Sequence, residues 1–196
     1  MKSSTNGRGR ALYALEGIPL DYSSAILDTN FLIGISHFLY SSKTISNDEK
    51  SPKKFFDFFC DYIKKTGRFY VTSNVLEEYR TLYPSEKLIK ILIENRLVFS
   101  LNGLGLYHEL EQKYSSFRGK EGRFDISRTD FDFLISGAVM ASLKGKPCGL
   151  VSNDLELLAS WREFLMMEED FNSINLGFFT FDLSRENPGV FSRWKK

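Results

Sequence analysis

Short apolar runs alternate along the chain with longer stretches whose apolar residues recur at helical spacing. That is the pattern of strand and helix units wound into a parallel sheet. Residues 25–27 read as the first strand, followed by Asp28, Thr29, Asn30 and an apolar helical run over residues 31–40. A polar loop over 41–52 leads to a helix over 53–65, where Phe55, Phe58, Phe59 and Tyr62 repeat at helical intervals. Residues 69–71 make the second strand. The helix over 75–83 stops at Pro84, because proline has no amide hydrogen for a further turn. A helix over 85–95, a strand over 97–101 and a helix over 106–114 come next, then a basic loop. Residues 131–143 predict a strongly amphipathic helix. A strand over 148–151, a helix reaching about residue 167 and a last strand over 176–181 complete an α/β pattern of about five strands.

Composition narrows this picture. With 196 residues, 42% apolar, the chain can bury one sizeable core without disulfide or structural metal, and a disordered or collagen-like polymer is excluded. One domain over 23–183 is expected. Residues 1–22, basic through Lys2, Arg8 and Arg10, read as a flexible N-terminal tail, and residues 184–196, with Arg193, Lys195 and Lys196, as a basic C-terminal tail. The two cysteines, Cys60 and Cys148, have neither the number nor the spacing of a disulfide scaffold or zinc ribbon. No apolar run approaches the ~18 residues of a membrane span, so a cytoplasmic protein without a membrane partner is expected. The net charge of +1 supplies no global field. Any nucleic-acid contact must come from local patches.

In a parallel α/β sheet the ligand site lies beyond the carboxyl ends of the strands. The polar residues that fall there are mostly acids: Asp28 after the first strand, Glu77 and Glu78 in the next helix, Asp130 and Asp132 opening a later one, and Asp154 after the fourth strand. Gathering carboxylates without a counter-charge is unfavourable, and a divalent cation offsets the repulsion. Oxygen ligands suit Mg²⁺ or Mn²⁺, and with only His37 and His108 a zinc site is disfavoured. Each acid alone is also a plausible helix cap. Asn74 with Glu77 has capping-box spacing, whereas Glu78 shares a face with Val75 and Leu82 and should point under the helix, so Glu78 is preferred. Ser127 with Asp130 and Thr129 with Asp132 both have capping-box spacing, which does not choose between the two acids.

Four of these segments together resemble the PIN-domain (PilT N-terminus-like) nucleases. They are Ile26-Leu27-Asp28-Thr29-Asn30, Val75-Leu76-Glu77-Glu78-Tyr79, Asp132-Phe133-Leu134-Ile135-Ser136-Gly137-Ala138, and Leu150-Val151-Ser152-Asn153-Asp154. The resemblance covers about residues 23–181, with a long stretch between Glu78 and Asp132. It implies a three-layer α/β/α sandwich around a central, mostly parallel sheet of about five strands. It further implies metal-dependent hydrolysis of phosphodiester bonds in single-stranded or structured RNA. Asp28, Glu78, Asp132 and Asp154 would be the catalytic acids holding Mg²⁺ or Mn²⁺, with Asp130 as a further ligand candidate. Asn30 would orient Asp28 or touch phosphate, and Ser152 would donate to a phosphate oxygen or a metal-bound water, unless both serve only as helix caps.

RNA is the expected partner, and the stretch from Lys113 to Arg128 offers a grip. Lys113, Arg118, Lys120, Arg123 and Arg128 outweigh Glu121 and Asp125, and Tyr114, Phe117 and Phe124 are interleaved as bases for stacking. The plain alternative is a solvated loop with its aromatics in the core. Gly103-Leu104-Gly105 lacks the third glycine of a dinucleotide loop, and no P-loop or G-x-S-x-G occurs. The rival reading is a catalytically silent module of the same fold that binds RNA or protein; a toxin of a toxin and antitoxin pair is a third. A homodimer, a protein inhibitor and a processing partner are each compatible with the sequence.

Overall fold

The computed structural model describes residues 21–41, 52–82, 84–119, 126–182 and 190–193. The expected N-terminal tail lies almost wholly outside them. Fourteen elements follow one another: β1 (Ser24–Leu27), α1 (Thr29–Ser41), α2 (Pro52–Thr66), β2 (Phe69–Thr72), α3 (Ser73–Leu82), α4 (Glu86–Glu94), β3 (Val98–Phe99), α5 (Gly105–Lys113), α6 (Ser115–Gly119), α7 (Arg128–Lys144), β4 (Cys148–Val151), α8 (Leu155–Met167), β5 (Leu176–Asp182) and β6 (Val190–Arg193). Helices flank a central sheet in three α/β/α layers.

The sheet runs in the order β3-β2-β1-β4-β5-β6. The first five strands are parallel, and β6 pairs antiparallel with β5 at the edge. Residues 190–193, expected in the C-terminal tail, are thus sheet. The correction has a simple cause, since the exposed edge of β5 offers unpaired backbone groups that a short Val-Phe-Ser-Arg segment can satisfy. α6, within the expected basic loop, was likewise not foreseen. The strands β1 and β4 are buried along their whole length, as strands covered on both faces must be, and read as continuous apolar runs for that reason.

Strand β1 has β2 on one side and β4 on the other, so the connections leaving β1 and those reaching β4 diverge between these two strands. This is where an open parallel sheet leaves a crevice at its carboxyl edge.

Helix α7 is not the amphipathic helix expected. All residues from Phe131 to Ala141 are buried. It touches β1, β2, β4 and β5 on one side and α3 and α5 on another, so over residues 131–141 no face is left to water and the polar Ser136 is enclosed as well, while both ends of the helix are exposed. The close approach within the sheet demands small residues. A methyl group on Gly177 of β5 would drive into the ring of Tyr22, which itself packs edge-on against Phe179 with centroids 5.2 Å apart. Gly177→Ala should therefore lower the unfolding free energy by ~1–3 kcal/mol, read from a shifted denaturation midpoint at unchanged slope.

No described helix is long and apolar enough to cross a membrane. Cys60 and Cys148 are buried and free.

Candidate functional site

The register of the central pair sets the site. Leu27 of β1 lies opposite Val151 of β4, so the next residues, Asp28 and Ser152, emerge side by side at the carboxyl edge. Asp28 donates its amide to the Val151 carbonyl (3.0 Å), which holds its backbone to the end of the ladder. Its side chain is enclosed: Oδ1 accepts the Thr29 amide (2.6 Å) and Oδ2 accepts the Ser152 hydroxyl (2.7 Å).

Ser152 is the hub of this corner. While its hydrogen goes to Asp28, its Oγ accepts from Asn30 Nδ2 (2.9 Å) and from the Asp154 amide (3.0 Å). Those two donors leave the hydroxyl hydrogen only the direction of Asp28, so the three groups fix one another. Asn30 also accepts the Asn153 amide at its Oδ1 (3.2 Å). Asn153 in turn clamps Phe181 through both of that residue's backbone groups, tying the corner to β5. Asp154, exposed, caps α8 by accepting the Leu157 amide at Oδ1 (2.9 Å), and its other oxygen is without a partner among the described residues. The cap and a place beside Asp28 are compatible for this residue.

Across the crevice, Glu78 on α3 is half-buried and its Oε2 accepts the Thr29 hydroxyl (2.5 Å). Glu77 points to solvent and pairs with Arg80 (2.7 Å). The expected capping box of Asn74 with Glu77 does not form, because α3 begins earlier, with Thr72 accepting the Val75 amide at 3.2 Å. Thr29, to which the sequence reading gave no role, joins Glu78 to Asp28 by its hydroxyl and its amide. Its place between Asp28 and Asn30, in the first turn of α1, was the available signal.

The pair on α7 separates cleanly. Ser127 caps the helix, exchanging bonds with the Asp130 amide (3.0 Å) and carboxylate (2.7 Å), so the capping box is Ser127 with Asp130. Two residues further along a helix is a rotation of ~200°, and Asp132 is accordingly turned the other way. It is buried against α5, where its Oδ1 accepts the Tyr107 hydroxyl at 2.8 Å. Burial and this bond push the phenol of Tyr107 up. Of the two α7 acids, Asp132 is thus engaged by Tyr107, and the charge of Asp130 bears on Asp28.

The electrostatics of Asp28 follow from this arrangement. Burial raises its carboxyl to about 7, with the charges of Asp130 and Glu78 pushing the same way against the opposing bonds from Ser152 and Thr29. The donors are all oxygens and their mutual repulsion would be relieved by a hard divalent ion, so the chemistry of the set suits Mg²⁺ or Mn²⁺. Their spacing is looser than a ready cage. Among the described residues no three acidic, histidine or cysteine side chains stand close enough together to form one.

Two of the aromatic residues expected at the RNA grip are enclosed instead, as the alternative reading had them. Tyr114 and Phe117 are buried against α8, where Tyr114, Phe117, Trp161 and Phe164 form an aromatic cluster with centroids 5.0–5.8 Å apart. They are not available to stack on bases. The segment from the end of α5 into α6 puts these two rings against α8, while α5 itself packs on α7. Lys113 is paired with Asp170 at 2.6 Å, which also accepts the Tyr114 hydroxyl. Arg118 is exposed on α6, and Arg128 opens α7 beside Glu78; Lys120, Arg123 and Phe124 lie outside the described residues. No family model, no curated protein and no solved structure matches the chain.

Proposed function

We propose that the chain is an endoribonuclease that hydrolyses phosphodiester bonds of single-stranded or structured RNA with Mg²⁺ or Mn²⁺. One observation carries this reading: Asp28 is buried at the carboxyl edge where the sheet connections diverge, with Thr29 bonded both to it and to Glu78, and burial pushes its carboxyl up with the charges of Asp130 and Glu78 acting the same way. Acids turned toward one another destabilise a fold, so their retention at a crevice is a sign of use. Asp28, Glu78 and Asp130 would hold the ion, with Asp154 beside them across Ser152. Once bound, such an ion lowers the pKa of a coordinated water and steadies the charge that builds on the phosphate. The chain's own part is to fix the acids. Ser152 aims Asp28, Thr29 steadies Glu78, and Ser127 holds Asp130 in the first turn of α7.

A silent binding module is favoured instead by the looseness of the acids and by the fact that Asp28 already satisfies both its oxygens within the chain. Metal dependence decides between the two. Purified protein incubated with single-stranded RNA should cut it in Mn²⁺ and leave it intact in chelator, with Mn²⁺ binding measurable by calorimetry. No heat of binding and no cutting at high protein concentration would leave only the module.

A further inference from the structure

Beside Glu78 a groove of about 420 Å³ opens between α3 and the start of α7. It is lined by Asn74, Glu77, Glu78, Thr81, Arg128 and Thr129, and its volume lies in the ~300–1,000 Å³ range of small-ligand sites. Every residue lining it carries a polar or charged group, and none carries an aromatic ring. Its charges are unequal in availability. Glu77 is already matched by Arg80, while Arg128 has no carboxylate partner among the described residues. Glu78 belongs to both places, since it lines the groove and accepts from Thr29 next to Asp28.

Resting on the ribonuclease reading above, we infer that this groove is the subsite for the nucleotide next to the scissile bond and holds it by its sugar and phosphate. A chain of phosphates cannot approach an acidic crevice without a cation for the neighbouring phosphate, and Arg128 is the cation placed there. A guanidinium offers a planar fork that matches phosphate oxygens. Asn74, Thr81 and Thr129 supply the neutral donors and acceptors that ribose hydroxyls pair with. With no ring to stack a base on, the subsite is assigned to backbone and not to sequence. Cleavage should therefore show no base preference at that one position.

The test compares wild type, Arg128→Gln and Arg128→Lys on a single-stranded oligoribonucleotide in Mn²⁺, at several salt concentrations. Losing one phosphate contact should raise KM by roughly fivefold to tenfold and flatten the salt dependence of binding by a log–log slope of about 0.7. The turnover number should stay within about twofold, and Arg128→Lys should restore the salt slope because its charge remains. Unchanged KM and slope in Arg128→Gln, with wild type cutting normally, would overturn the subsite and leave the nuclease reading standing. So would a loss confined to kcat, which would mark Arg128 as a support for the acids. Wild type that neither binds nor cuts RNA would overturn both.

Discussion

Asp28→Asn is expected to abolish metal-dependent RNA cleavage, by ~10³-fold or more, and at the same time to leave the metal-free protein more stable at neutral pH. The first effect follows from removing the charge at the centre of the acidic crevice. The second follows from linkage. The Asp28 carboxyl titrates at 3.8 when free and at about 7 when folded, so between these values the unfolded chain has released a proton that the folded chain retains. Stability from this group is intact below pH ~4, falls as pH rises toward 7 and is level above that. At ~1.36 kcal/mol per unit the whole fall is at most about 4 kcal/mol. Asparagine does not titrate and escapes it. The gain will be less than the ceiling, since Ser152 has two donors on its oxygen already and must turn its hydrogen away from the new amide. Denaturant unfolding in chelator, at pH 4, 5.5 and 7.5, should show the difference between variant and wild type widening with pH. A constant difference, or cutting at the normal rate, would remove Asp28 from the centre of the site.

The second large effect distinguishes two acids only two residues apart. Asp130→Asn keeps an acceptor for the Ser127 hydroxyl and so keeps the helix start, but it removes a charge that acts on Asp28. Cleavage should fall by ~10²-fold or more with weaker Mn²⁺ binding, and the melting temperature should hold. Asp132→Ala should do the reverse. It leaves the buried Tyr107 hydroxyl without its acceptor and costs ~1–3 kcal/mol of stability, while the folded fraction cuts RNA at the wild-type rate. Thermal melts and Mn²⁺ titrations on the two proteins give the answer directly. If Asp132→Ala folds well and loses activity, the assignment on α7 must be exchanged.

Much of the architecture was legible in the residues. Short continuous apolar runs and period-3.6 patterns separate strands from helices without tertiary information, which is why β1, β2, β4 and β5 and the long helices lie within a few residues of their expected places. Helical rotation also anticipated that Glu78 would be less exposed than Glu77, although Leu82, expected on the same covered face, is exposed. What stayed hidden depends on neighbours distant in the chain. Nothing local says that α7 will be enclosed on every side, that α8 will accept Tyr114 and Phe117, or that Tyr107 waits opposite Asp132. Nor does the spacing of Ser127, Thr129, Asp130 and Asp132 reveal which residue begins the helix, and that single choice decides which acid joins the cap at Ser127.

The pairing of Leu27 with Val151 has a bearing on how such a molecule could change over time. Asp28 and Ser152 inherit their spacing from backbone hydrogen bonds between two enclosed strands, not from the connecting segments, whereas the walls of the crevice come from α3 and the start of α7. Substitutions in those walls can retune what is gripped without disturbing the floor. A slip of one residue between the two strands, by contrast, would swing Asp28 into the hydrocarbon interior and erase the corner in one step.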